Sequence, residues 1–343
     1  MAPLPPPPTP APTPLEMWST VTQWCRREPL AALVLLASIG VLVYFFCIYQ
    51  VFINGSHTTM RWAAESWNSE NNQEHGWIIF PVALGLVWYH RGKLLDAVKA
   101  PSNYGLIPLL FGIATFLIAV RCLQPRFAVA ALPLTIYGGV YFLYGRQVAR
   151  VFLFPCVFLL FMIPVGGLVQ GTVSLQLLVS QVCNILSALI GVKIEASGTT
   201  IRSVDGSFNF EIAEGCSGVR SLMAMITLTA LYVHFTQREL WKKWTIFLGS
   251  IVFAVIGNIG RIFTVILVAK FIDPKLASGL YHDYSGFIFF PIAVSAMVAF
   301  GNLLNKDWSG VKKLAMARDA APATPAGATT TAKTPGGPIS YDY

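Results

Sequence analysis

Three residues of this chain carry side chains suited to breaking a peptide bond together, and they lie far apart: Cys216 in EIAEGCSGVRSL, Arg261 in GNIGRIF and His282 in LYHDYSGF. Cys216 stands between two glycines where a polar segment runs into an apolar one, which places it at the first turn of a helix. A thiol there feels the positive end of the peptide dipoles, and Arg220, four residues on, shares its face. Both effects favour the thiolate, the nucleophilic form. Gly215 and Gly218 set no side chain in the way of an approaching substrate backbone. Arg261 interrupts an apolar helix, where a cation costs several kcal/mol unless it has a partner or water, and Asn258 lies on its face. A thiol nucleophile, an imidazole for proton transfer and a guanidinium for the developing oxyanion are the parts of acyl transfer through a thioester.

Each residue also has a plainer reading. Cysteine is a common small apolar residue in membrane helices, and Cys47, Cys122, Cys156 and Cys183 fit that description, with nothing ionisable placed around them; Cys25 beside Arg26 and Arg27 is incidental. Arg261 snorkelling to headgroups competes with a catalytic role. His282 alone reads as a surface or cap-neighbour histidine, and Arg220 as the partner of Glu214 in a helix-end salt bridge. His75, at the start of an apolar segment, divides between binding a substrate motif and a structural interfacial role, and stays outside the catalytic set. The six cysteines contain no CxxC pair, so neither a zinc site nor a dithiol motif is supported, and no metal or cofactor is expected.

Composition sets the elements that must position these residues. The chain is 55% hydrophobic and 12% charged over 343 residues. Its apolar runs of about 18 to 25 residues suffice to cross the roughly 30 Å hydrocarbon layer. The expected fold is an all-α polytopic membrane protein with about eight transmembrane helices, near residues 30–52, 77–90, 105–121, 127–145, 151–169, 216–235, 244–271 and 286–304. Residues 1–25 form a Pro-rich, disordered leader without the apolar core of a signal peptide, 26–305 the membrane-embedded domain, and 306–343 a low-complexity cytoplasmic tail.

Lysine and arginine positions orient the bundle. With Arg26 and Arg27 inside, the inner loops carry Arg91, Lys93, Lys99, Arg146, Arg150, Arg238, Lys242, Lys243, Lys306, Lys312 and Lys313. The outer loops carry Glu65, Glu70, Glu74, Glu195, Asp205, Glu211 and Glu214. The net charge of +8 is thus spread as topology signals and forms no interleaved patch, so no nucleic-acid partner is implied. Residues 167–191 are helical in period but carry Gln170, Gln176, Gln181 and Asn184. A full crossing there would invert every later loop, so the segment reads as interfacial or re-entrant on the outer face. Phe208, Phe210 and Ile212 alternate with polar residues, and Asp205-Gly206 offers the φ > 0 pair of a tight turn, predicting a small extracytoplasmic β-hairpin before the cysteine. This topology sets Cys216, Arg261 and His282 at one membrane level.

AEGCSGVRSL resembles the signature of the exosortases and archaeosortases, membrane-embedded cysteine transpeptidases. GNIGRIF is similar to that family's arginine-bearing helix and YHDYSGF to its histidine element. EHGWIIFPVALGLVW resembles the amino-terminal element with its His-Gly pair, and FLLFMIPV with LIGVKIEASGTTI the approach to the catalytic loop. The resemblance covers roughly residues 60–304. It implies Cys216 as nucleophile with Arg261 and His282 completing the site, and Arg220, Asn258 and His75 as supporting or substrate-binding candidates. His282, where archaeal members typically carry arginine, implies a bacterial exosortase; Gly215 replaces an alanine common in the family. The implied partners are secreted proteins ending in a short motif, often Pro-Glu-Pro, a hydrophobic helix and a basic cluster, cleaved at the outer face of the plasma (inner) membrane. The acyl acceptor is water, an amine or another envelope group. The alternative function is a transporter or flippase for an envelope polymer. It is disfavoured because the ionisable residues gather at one interface.

Overall fold

The computed structural model describes residues 19, 22–23, 25–55, 57–68, 71, 73–164, 169–197, 200–211 and 219–306. The first 18 residues and those from 307 onward lie outside this set, as do Glu70, Ile212 and Glu214. Helical backbone is present at Ser19, Thr22, Gln23 and Cys25, within the 1–25 leader, and at Arg26 and Arg27; this part has left the proline run behind and has N–H groups that can enter a helix.

Among the described residues, six helical stretches are long and apolar enough to cross a membrane: Pro29–Ile48, Asn103–Arg121, Pro125–Met162, Val219–Thr236, Leu240–Phe271 and Tyr284–Asn305. Shorter apolar helices run at Gly76–Tyr89 and Ser174–Leu189. This is an all-α polytopic membrane protein. In chain order the described helices of eight or more residues are α1 (Pro29–Val43, continued by a wider turn over Tyr44–Ile48), α2 (Thr59–Ser66), α3 (Gly76–Tyr89), α4 (Leu106–Arg121), α5 (Pro125–Leu159), α6 (Val169–Leu189), α7 (Val219–Thr236), α8 (Leu240–Phe271) and α9 (His282–Asn305). Against expectation, the first span stops at Ile48 instead of residue 52, the fifth at Met162 instead of 169, and the last begins at His282 instead of 286.

Two of the expected crossings lie within α5, divided at Gly145 (φ 82°, ψ −176°). Only glycine holds that backbone without strain, and a Cβ there would stand 1.8 Å from the Ala100 carbonyl oxygen. Ala100 and Ser102 donate to the Tyr144 and Phe142 carbonyls just before this point. The arms return alongside each other, because Ala128, Val129 and Leu132 of the first and Phe158, Leu159 and Met162 of the second contribute to one apolar cluster with Trp67 and Ile79. Small residues bring α4 against the first arm: a Cβ at Gly105 would meet Phe142 N at 2.2 Å, and one at Gly138 would meet Leu109 N at 2.2 Å. Where lipid is as apolar as leucine, such close backbone approach is what associates helices.

Ahead of α7 lies an antiparallel sheet, ordered β3 (Ile194–Ser197), β4 (Thr200–Ser203) and β5 (Asn209–Glu211), after a two-stranded ladder of β1 (Gln50–Val51) and β2 (His57–Thr58). The expected hairpin is β4–β5, but its loop is four residues long. Ser203 N donates to Phe208 O at 3.0 Å, and only Gly206 in the loop has positive φ. The Asp205 carboxylate takes over the role of a second left-handed residue by accepting from Ser207 N at 3.0 Å and from the Ser203 hydroxyl. Strand β3 was not foreseen; its Ile194 joins Ile201 and Phe208 against Ile262, Val265 and Ile266 of α8.

Helix α6 joins the end of α5 to the sheet. It is entered from Pro164, next to Met162, whose carbonyl accepts from Trp67 Nε1 near the start of α3. It is left into the sheet, which Asp205 ties to Lys270 at the end of α8. The Glu74–Arg220 pair puts the starts of α3 and α7 at this same end. Val179 and Cys183 of α6 pack on the last turns of α8.

Candidate active site

The three motif-bearing helices α7, α8 and α9 meet at the hairpin end of the bundle, and the glycines of GNIGRIF set how closely. A Cβ on Gly257 would stand 3.0 Å from the Ala293 Cβ, and one on Gly260 3.1 Å from the Phe289 ring. Both glycines face α9 and let it lie tight against α8. At that separation Arg261 reaches across: its Nε donates to Ser285 Oγ at 3.0 Å. Gly286 flanks the guanidinium, a Cβ there standing 3.8 Å from Arg261 Cζ. Arg261 thus has a polar partner inside the bundle, which removes the need to snorkel.

Between the helices lies a cavity of about 30 Å³ lined by Ser221 and Met225 of α7, Asn258 and Arg261 of α8, and Gly286 and Phe289 of α9. That is room for a water-sized group. Asn258 is 5% exposed, and its Oδ1 accepts no hydrogen bond among the described residues. The expected shared face of Asn258 and Arg261 is present.

Cys216 lies outside the described residues, three positions ahead of α7. His282 is the first residue of α9, and its side chain also lies outside the described set. Ser285, one helical turn later, brings the His282 turn up to Arg261. Arg220 pairs with Glu74 at 3.2 Å, from the turn ahead of α3; the sequence reading offered Glu214, which lies outside the described residues. This pair joins the amino-terminal His-Gly element to the first turn of α7.

His75 follows Glu74 directly and is half-buried, with no hydrogen-bond partner at Nε2 among the described residues. Gly76 is where it is because the Trp67 indole fills the space a side chain would need. That indole donates to Met162 O at 2.8 Å, and Trp77 Nε1 donates to Trp67 O at 2.9 Å. On the other side, Lys270 beside Asp205, helped by the Ser203 and Ser207 hydrogen bonds, holds that carboxyl well below the usual carboxylate range. The ionised hairpin tip is thereby anchored to α8, and β5 leads from it toward Cys216.

Sequence reasoning missed Ser285 and Ser221, and it named Glu74 only as an outer-loop acid. Ser285 did leave a signal, since it stands three residues after His282 within the same motif. Nothing in the local sequence marks Glu74 as the partner of Arg220, 146 positions away.

The family model described as transmembrane exosortase matches residues 67–299. No curated protein matches the chain, and no solved structure does. The match opens at Trp67, the residue packed on Gly76, and takes in Glu74, Cys216, Arg261 and His282. It spans more than half of the 343 residues, and with its motif helices gathered in one junction the chain belongs to the transmembrane exosortase family.

Proposed function

We propose that this exosortase is a cysteine transpeptidase that cleaves the C-terminal sorting signal of exported proteins at the outer face of the plasma membrane. The observation that carries the reading is the meeting of Arg261 with Ser285 and Gly286 beside a cavity that Ser221, five residues past Cys216, also lines. In the first half-reaction the Cys216 thiolate attacks the scissile carbonyl carbon. The carbonyl π electrons move to oxygen, and Arg261 stabilises the oxyanion. The intermediate collapses to a thioester as the amine leaves with a proton from the His282 imidazolium. In the second half, neutral His282 takes a proton from water or an acceptor amine as it attacks the thioester, and Cys216 is regenerated as thiolate.

The substrate class follows from the family resemblance and from topology. A tail with a short motif, one apolar helix and a basic cluster halts in the bilayer with the basic end inside. Its motif then stands at the outer interface, the level the lysine and arginine distribution assigns to Cys216. The other five cysteines have no role in this scheme.

The test is mass spectrometry of the C-terminus of a cognate secreted protein in cells carrying wild-type or variant enzyme. Cys216→Ala should leave the tail intact, whereas Cys156→Ala and Cys183→Ala should process it nearly normally. Processing by Cys216→Ala would overturn the mechanism. The absence, in the same organism, of secreted proteins with a shared motif, helix and basic cluster would overturn the substrate.

A further inference from the structure

We infer that Ser285 is a positioning residue of this reaction: by accepting the Nε–H of Arg261 it fixes the plane of the guanidinium, so that both Nη groups are held toward the oxyanion. The inference rests on the transpeptidase reading, in which Arg261 is the oxyanion donor.

The guanidinium is planar, and its five N–H donors are locked together in one fork. Holding Nε therefore sets the direction of every other donor. The holding contact is built from buried parts: Ser285 is 1% exposed, and its Oγ lies 3.0 Å from Nε. It depends on the close approach that Gly257 and Gly260 permit between α8 and α9. It also spans the two helices whose backbones carry Arg261 and His282, Ser285 standing three residues after His282 in α9.

The oxyanion is absent from the bound substrate and forms only in the tetrahedral intermediate and the transition states around it, so loss of positioning should lower kcat and leave KM nearly unchanged. Removing a whole oxyanion donor costs about 10² to 10³ in kcat. Ser285→Ala, which leaves the donor present but unheld, should cost about 10- to 10²-fold. Lysine has no counterpart of Nε for Ser285 to hold. In an Arg261→Lys background, Ser285→Ala should therefore change kcat by less than about twofold.

The experiment is this double-mutant cycle on cleavage of a cognate tail by the full-length enzyme in membranes, with Cys216 alkylation as a check on folding. Ser285→Thr and Ser285→Val have the same shape and differ only in the hydroxyl. The threonine variant should retain kcat within a few-fold, and the valine variant should fall with alanine. This pair decides the matter if Ser285→Ala fails to insert. Equal rates for threonine and valine, or an equal loss from Ser285→Ala beside Arg261 and beside Lys, would overturn the inference and leave Arg261 as donor. Normal turnover by Arg261→Ala would instead overturn the transpeptidase reading itself.

Discussion

Replacing Gly76 with alanine puts a methyl group where the Trp67 indole already is. The added Cβ would lie 2.3, 2.4 and 2.5 Å from three indole atoms, whereas ordinary contact begins at 3.4 Å, so the ring must retreat by about 1.1 Å. Trp67 is 8% exposed and closely packed, and its Nε1–H is committed to Met162 O at 2.8 Å. It also meets Trp77 edge-to-face at 5.2 Å. Overpacking of this kind costs about 1–3 kcal/mol, and losing the indole hydrogen bond would leave a buried group unpaired for about another 1–3 kcal/mol. Together these, about 2 to 6 kcal/mol, lower Tm by roughly 4 to 24 °C at about 2–4 °C per kcal/mol.

Gly85 supplies the control on the same helix. A Cβ there meets nothing within 4 Å, and Gly85→Ala should be neutral or stabilising by up to about 1 kcal/mol. In detergent, the buried thiols of Cys156 and Cys183 report unfolding by their reaction with a fluorogenic maleimide on heating. Gly76→Ala should also slow tail cleavage, because the displaced turn carries Glu74 away from Arg220. Equal melting of the Gly76→Ala and Gly85→Ala proteins would refute the claim that the His-Gly element is fixed by Trp67.

The neighbouring glycines of α5 should behave as unlike as those of α3. Gly138→Ala drives a methyl group into Leu109 N and should cost about 1–3 kcal/mol, while Gly139→Ala meets nothing within 4 Å and should not lower the same thiol-exposure midpoint. The Glu74–Arg220 pair is about half-exposed, so it should add at most about 1 kcal/mol to stability. Reversing either charge alone should nonetheless slow cleavage roughly three- to tenfold, and exchanging them, Glu74→Arg with Arg220→Glu, should recover most of the rate. No recovery on exchange would mean that Arg220 acts on the thiolate directly.

The sequence by itself determined the membrane class, the run of apolar helices and the motifs that carry Cys216, Arg261 and His282. Hydropathy and helical period are properties of each segment alone, so they survive without knowledge of neighbours. Charge counting gave an orientation but not the pairings. The structure gathers Arg61, Arg220 and Lys270 at the hairpin end, each bound to a carboxylate, Glu65, Glu74 and Asp205 respectively. Tertiary structure alone decided that Arg261 is held by Ser285, that Arg220 answers to Glu74, and that Gly145 turns one long apolar run back on itself. These outcomes depend on how far one helix is rotated and how closely it approaches another. That is set by the faces of Gly257 and Gly260 against Ala293 and Phe289, of Gly138 against Leu109, and of Gly76 against Trp67. A glycine in an apolar run looks the same in sequence whether it faces open space, as Gly85 and Gly139 do, or a neighbouring backbone. Only the packed bundle tells the two apart.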